Sequence, residues 1–174
     1  MVPPLGSLRL RPPTISDEAE VVAAHRQMAI EQFTFALRWR EDLPWAAYLA
    51  LLEGNRIGTA APEGLVPAAF LVAEVDGAII GRASVRYELN ELLAQEGGHI
   101  GYCVLPAYRR RGHATEILRQ GLIVARAAGV DRVLVTCDDD NVGSRVVIER
   151  CGGKFADIVT SQEDDVSVRR YWID

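Results

Sequence analysis

A strand-like apolar run, Ile100 to Leu105, leads through Pro106-Ala-Tyr-Arg-Arg-Arg-Gly-His-Ala-Thr115 straight into a helical pattern. The helix puts Ala114, Ile117, Leu118, Gly121, Leu122 and Ala125 on one stripe, and Gly129 supplies the residue that stops it. Arg132 to Cys137 then reads as a strand of Val and Leu, the type buried on both faces. Strand, helix and strand in this order make one right-handed crossover unit, so a parallel pair is expected at the centre of a mixed α/β sheet. The joint between the first strand and the helix is basic and contains glycine. The first amides of a helix have no partner within it, and the helix dipole favours negative charge there. The joint is therefore a place to hold a phosphate.

The remaining pattern surrounds this unit with antiparallel strands and helices. Leu8 to Arg11 alternates and reads as a first strand. Ser16 is placed to cap a helix running to about Glu31, with Asp17 and Glu18 in its first turn. A second helix is expected from Pro44 to Glu53, followed by a Gly-, Pro- and Ala-rich loop over 54–67. Ala69–Val75 and Ala78–Tyr87 flank Asp76-Gly77, a strong hairpin signal. Glu88–Gln95 suggests a helical turn that Gly97-Gly98 break before the strand 99–104. A helix over Val142–Cys151 ends at Gly152-Gly153, and strands over Lys154–Thr160 and Val166–Ile173 complete the chain. There is no internal repeat, and 174 residues suit a single domain, 1–174.

Composition narrows the class. A net charge of −5 argues against a nucleic-acid or anionic-membrane binder. The first six residues lack the pattern of a signal peptide, and no run nears the length of a membrane span. Cys103, Cys137 and Cys151 lie far apart beside apolar runs and read as reduced thiols, which suits a cytoplasmic protein. His25, His99 and His113 are scattered, and Asp138-Asp-Asp140 lacks a calcium-loop glycine, so no metal site is expected. No Walker pattern is present either.

Arg109-Arg-Arg-Gly112-His-Ala114 fits the pattern [Gln/Arg]-x-x-Gly-x-[Gly/Ala], and Asn141-x-x-Ser144 leads to Glu149-Arg-Cys-Gly152. In their order on strand, helix, strand and helix, these resemble the two motifs of the GNAT superfamily of N-acetyltransferases. The nearer resemblance is to a bacterial branch of acetyltransferases. Val66-Pro67, Arg86-x-x-Leu89-Asn90-x-x-Leu93, Gly97-Gly-His-Ile-Gly-Tyr102, Cys137-Asp-x-Asp-Asn141 and Tyr171-Trp-Ile173 carry it. It covers residues 66–173; the first sixty residues share only their β-α-α order. The resemblance implies a GNAT fold: a mixed, mostly antiparallel sheet with a central parallel pair that splays below a β-bulge, flanked by helices.

It also implies transfer of an acetyl group from acetyl-CoA to an amine of a small molecule or a peptide. The backbone of Cys103, Val104 and Leu105 would pair with pantetheine. Amides from Arg109, Arg110, Arg111, Gly112, His113, Ala114 and Thr115 would cradle the pyrophosphate. The Arg109 and Arg111 side chains would add charge-assisted bonds. Gly112 would let the backbone approach the ligand, and Ala114 would keep the helix near the sheet. Many relatives dimerise through their terminal strands, so a homodimer is one expected assembly.

Several residues carry two readings. Asn141 contacts CoA or an ordered water in the family, yet Asn before Val142 is also a usual helix cap. Ser144, one turn on, is either a cofactor contact or a small packing residue. His99 stands where many members have a Glu; it reads as the general base or as a histidine satisfied by backbone at a strand start. Glu88, Glu91, Glu96 and Asp138 are the other candidate bases. The family's usual acid, a Tyr seven residues after the Asn, is here Ile148, leaving Tyr102 and Tyr108 as candidates. Trp39, Trp45 and Phe35 are candidates for an acceptor-pocket wall or for core. The competing function is an acyl-CoA-binding sensor or scaffold without turnover.

Overall fold

The apolar runs pair into two antiparallel sheets in the computed structural model, which describes residues 7–59, 64–161 and 165–174. The first sheet holds β1 (Arg9–Arg11), β2 (Ala68–Val75), β3 (Ala78–Arg86) and β4 (Ile100–Val104), in that order. The second holds β5 (Val133–Asp138), β6 (Lys154–Thr160) and β7 (Ser167–Ile173), ordered β5-β7-β6. Five helices cover them: α1 (Glu18–Ala29), α2 (Trp45–Ile57), α3 (Glu91–Gln95), α4 (His113–Ala127) and α5 (Val142–Arg150). The N-terminal six residues and part of the 54–67 loop lie outside the described residues.

Local chemistry sets most boundaries. Asp76 and Gly77 both take positive φ, 50° and 81°, the requirement of the two-residue turn that joins β2 to β3. The expected stripe of α4 is buried at Ile117, Leu118, Gly121, Leu122 and Ala125. Two boundaries differ from expectation. Thr14, not Ser16, begins the first helical segment: its N–H and hydroxyl both donate to Asp17 Oδ2, at 2.6 and 2.9 Å, and Ser16 sits inside the ensuing 3₁₀ turn. The helix expected to stop at Glu53 continues through a buried Gly54 to Gly58, whose φ of 79° ends it. A glycine inside a helix costs about 1 kcal/mol, which the packing of α2 on β2 offsets.

The core lies on both faces of the first sheet. Leu118, Leu122 and Ala125 of α4 meet Ala69, Leu71, Val85 and Ile100 on one face, and the same cluster runs on to Val133, Val135, Ile148 and Tyr171. On the other face Val21, Ala24 and Met28 of α1 and Trp45 and Tyr48 of α2 pack on Phe70, Val72 and Ile79. Phe35 and Trp45 are therefore core residues, 0% and 4% exposed, while Trp39 is half-buried edge-on to His25.

Every strand pairing among the described residues is antiparallel, so the expected splayed parallel pair of β4 and β5 is not seen as a hydrogen-bonded pairing. β4 and β5 meet at a short seam. His99 N–H donates to Leu134 O at 2.8 Å, and Leu134 N–H donates to His99 Nδ1 at 2.9 Å. Gly97 N–H donates to Thr136 Oγ1 at 2.9 Å. Side chains thus stand in for ladder carbonyls, and the two sheets part beyond them. Gly98 makes the approach possible: with φ at 60°, a Cβ there would sit 2.5 Å from Leu134 O. The expected β-bulge is also absent from β4, whose register with β3 is continuous from Ile100↔Val85 to Val104↔Gly81. The irregularities fall at Ala73/Glu74 and Phe155/Asp157.

Candidate active site

The chain leaves β4 through a 3₁₀ turn at Pro106–Tyr108 and an extended Arg109. Arg110 and Gly112 then take positive φ, 63° and 84°. Alternating hands of this kind turn successive N–H groups toward one side, a concavity suited to an anion. The first amide that folds back is Glu116 N–H, which donates to Gly112 O at 3.3 Å; the amides before it have no partner within the helix. A Cβ on Gly112 would meet nothing within 4 Å, so this glycine serves the backbone angle and leaves the space above it open. Arg110 and Arg111 are exposed and, among the described residues, form no ion pair; Arg111 lies over the Tyr108 ring at 5.9 Å. His113 is 6% exposed and turns into the protein, so only its backbone faces the turn. Ala114 packs inward beside Ile117, and Thr115 O accepts from Cys151 Sγ at 3.6 Å, tying α4 to α5.

Arg109 departs from expectation. Its guanidinium forks onto Glu31, with Nη1 to Oε1 at 3.2 Å and Nη2 to Oε2 at 2.7 Å. Its Nε donates to Val104 O at 3.0 Å. The side chain pins the end of α1 to the end of β4 and is not free for a phosphate. Glu31 is held below the usual carboxylate range by that bond.

The backbone of β4 is also shared differently than expected. Arg86 N–H donates to His99 O and Leu105 N–H to Ile80 O, at 2.7 and 2.8 Å. By the alternation of an antiparallel ladder, Gly101 and Cys103 face β3 as well. Tyr102 and Val104 turn their backbone groups toward the gap between the sheets. Of Cys103, Val104 and Leu105, only Val104 presents its backbone there, and its carbonyl already accepts from Arg109. Tyr102, read from the sequence as a candidate acid, is the residue whose backbone role at the gap that reading missed.

His99 is 7% exposed, and its Nδ1 lone pair is taken by Leu134 N–H. The neutral ring then carries its proton on Nε2 and has no lone pair left for a substrate. The strand-start role, not the general base, is what this geometry provides. Burial and the nearby Arg86 cation push its pKa below the ordinary histidine value, as an acceptor role requires.

Asn141 Oδ1 accepts from Ser144 N–H at 3.0 Å and caps α5, which leaves its amide NH₂ outside the cap. Ser144 faces the Tyr102 hydroxyl. That hydroxyl is buried and closes no hydrogen bond among the described residues. Burial holds it well above the usual phenol range, hence protonated and able to donate. Ile148 is 0% exposed within the core, so the usual acid position supplies only packing.

A cavity of about 310 Å³ opens beside the seam, lined by Leu92, Glu96, Gly97, Thr136, Cys137, Asp138 and Val168. Of the four carboxylates considered as bases, Glu96 and Asp138 reach it. The thiols of Cys103, Cys137 and Cys151 are pushed up by burial, Cys137 to about 11, and are poor nucleophiles. Among the described residues no group of three or more His, Cys, Asp or Glu is placed to hold a metal, and no helix is long and apolar enough to cross a membrane.

A sequence model of the family described as "Acetyltransferase (GNAT) domain" matches residues 7–154. No functionally curated protein matches the chain. Solved structures share the fold at low identity. An N-acetyltransferase from Staphylococcus aureus Mu50 superposes with a TM-score of 0.67 at 18% identity, over 97% of this chain and 98% of that one. RimJ of Mycobacterium smegmatis, in complex with CoA-disulfide, gives 0.68 at 19%, over 97% and 82%. The Microcin C7 self immunity acetyltransferase MccE, in complex with acetyl-CoA and AMP, gives 0.65 at 18%, over 95% and 91%.

Proposed function

Since the chain belongs to the GNAT acetyltransferase family, we propose that it moves an acetyl group from acetyl-CoA to the amine of a small molecule or peptide. The observation that carries this reading is the placement of the open amide turn. It lies at the end of β4, where the two sheets part, so an anion held there has a path into the gap. The residues present fit the ligand. The space over Gly112 is open, the first-turn amides lack helical partners, and Arg110 and Arg111 are free to meet phosphate oxygens. That RimJ and MccE were solved with CoA-disulfide and acetyl-CoA supports the choice of cofactor.

Acetyl-CoA supplies an activated thioester: a C–N bond forms as the C–S bond breaks, the amine loses one proton and the departing sulfur gains one. The backbone of Tyr102 and Val104 lines the gap where the pantetheine arm would run, and Asn141 Nδ2 and Ser144 border it from α5. The Tyr102 hydroxyl, buried beside Ser144 and closing no bond among the described residues, is the hydrogen-bond donor available to the departing sulfur, which takes its proton from water. The amine proton leaves through water in the cavity bounded by Glu96 and Asp138. His99 acts as a positioning residue that holds the seam.

The test is calorimetry of the pure protein with acetyl-CoA, followed by CoA release over an amine panel. Binding with turnover is expected. No binding overturns the reading, and binding without turnover on any amine favours the sensor. Tyr102→Phe is expected to lower kcat roughly a hundredfold, in line with loss of one oriented donor, with little change in the KM for acetyl-CoA. An unchanged kcat removes Tyr102 from the chemistry.

A further inference from the structure

The opposite face of β3 holds cationic charge with no counter-charge. Ala83 and Val85 pack in the clusters under α4, so Arg82 and Arg86 point to the other face, away from the amide turn. Arg82 is 4% exposed. Its Nε donates to Phe35 O at 3.1 Å, its Nη2 to Thr34 O at 2.9 Å and its Nη1 to Gly101 O at 3.4 Å, over the Phe33 ring at 4.8 Å. Arg86, half-buried, donates from Nη1 to Gly97 O and Gly98 O at 3.1 and 3.0 Å, leaving Nε and Nη2 without a bond among the described residues. Arg38, at φ 67°, has a buried Nη1 with no partner. It and Arg82 both act on the Tyr48 hydroxyl, which donates to Leu37 O at 3.0 Å. Among the described residues none of these three arginines pairs with a carboxylate.

The chain does not lack carboxylates. It has 24 Asp and Glu against 19 Lys and Arg. Other poorly exposed arginines have ion partners, Arg11 on Asp17 and Arg170 on Asp157, whereas Arg38, Arg82 and Arg86 have none among the described residues. Backbone carbonyls satisfy N–H groups but do not neutralise charge, and a buried unneutralised cation is costly. Burial and the repulsion of Arg82 lower Arg86 to about 10. The space between the two guanidiniums is also shaped. A Cβ on Gly101 would find as its nearest neighbours Arg82 Nη1 at 3.7 Å and Arg86 Nη1 and Nη2 at 3.8 and 3.9 Å. The glycine thus leaves a hollow walled by guanidinium nitrogens, on the face of β4 that also carries Cys103.

We propose that the acceptor amine carries a carboxylate, which binds in the hollow over Gly101 between Arg82 and Arg86, with Arg38 beside Arg82 at Tyr48. The proposal rests on the acyl-transfer reading above and names its substrate class. A carboxylate matches the fork of a guanidinium and supplies the missing charge. The same arginines hold the 34–35 segment and the 97–98 turn, so a bound carboxylate would fix both walls of the acceptor site.

The test compares amino acids with their amides and with aminoalkylphosphonic acids at saturating acetyl-CoA. An amino acid is expected to exceed its amide in kcat/KM by roughly a hundredfold or more, because the amide leaves the site's charges unpaired. Arg38→Gln should cut that preference about tenfold, the worth of one charge-assisted bond, through KM for the amino acid alone. Arg82→Gln risks unfolding because it straps the 34–35 segment, so Arg38→Gln and Arg86→Gln carry the test, with Tm as the folding check. Equal rates for acid and amide, or a variant that slows both alike, overturn the proposal, as does a preference for the phosphonate. A binding arm separates the two readings. Thermal stabilisation by N-acetylamino acids but not their amides, lost in Arg38→Gln, supports the hollow even if no amine is acetylated. CoA release from amines without that stabilisation overturns the hollow and leaves the acyl-transfer reading standing.

Discussion

Gly112→Val is expected to weaken acetyl-CoA binding by tenfold to a hundredfold while leaving the protein folded. Gly112 sits at φ 84° and ψ −3°, and nothing lies within 4 Å of a Cβ built there. The penalty is therefore torsional rather than steric. A β-branched residue in the left-handed region costs about 1–3 kcal/mol. The exposed turn can relieve that strain by rotating, and rotation misdirects the amides of residues 112–114. At about 1.4 kcal/mol per tenfold, the same energy appears as one to two decades in Kd. Gly112→Ala should fall between, because alanine tolerates the region better. Gly129 provides the control. It has φ 90°, equally open space, and lies at the far end of α4. Gly129→Val should lower Tm comparably, by about 2–4 °C per kcal/mol for a chain of this size, with Kd unchanged. Calorimetric titration of the three variants decides the matter, and a wild-type Kd for Gly112→Val would place the phosphates elsewhere.

What the sequence disclosed was local in the chain. The turn from Leu105 to Thr115, the Asp76-Gly77 hairpin and the stripe of α4 each depend on residues within a few positions of one another. Their physics is backbone angle and periodicity. What it concealed was long-range. Arg109 reads as a phosphate ligand until Glu31, 78 positions away, is found to hold it. His99 reads as a base until Leu134, 35 positions away, takes its lone pair. The neighbouring of β4 and β5 follows from crossover logic, which does not disclose that His99 and Thr136 side chains take the place of ladder carbonyls where they meet. Gly54 reads as a breaker because propensity does not see the sheet beneath α2. The signal for the arginine hollow was present and overlooked: Arg82 and Arg86 interrupt the apolar run 78–87 four residues apart, and an even spacing puts both on one face of a strand.

His99→Ala is expected to lose about 2–4 kcal/mol of stability, and His99→Asn to regain most of it. Removing the imidazole strands Leu134 N–H, on a residue 1% exposed, without its acceptor. An orphaned buried donor costs about 1–3 kcal/mol, and the cavity left by the ring adds to it. Asparagine places Oδ1 at the same branch as Nδ1, so it can accept the same N–H. Activity should follow the seam: low in the alanine variant and largely restored in the asparagine variant. Asparagine cannot take a proton, so a dead His99→Asn enzyme with wild-type Tm would reinstate His99 as the base. Acid provides a second readout. His99 can accept from Leu134 only when neutral, and its folded pKa lies below the ordinary value near 6.5. The unfolded chain therefore binds the proton first. The stability His99 contributes is complete above about pH 6.5 and is lost as pH falls toward its folded pKa, at up to about 1.4 kcal/mol per pH unit. His25, whose Nδ1 accepts from Ala36 N–H at 3.1 Å, and His113 are lowered by burial and carry the same sign. Wild type should thus lose Tm between pH 7 and 5, and His99→Asn should lose less. Equal losses in the two proteins would show that protonation of His99 does not open the seam.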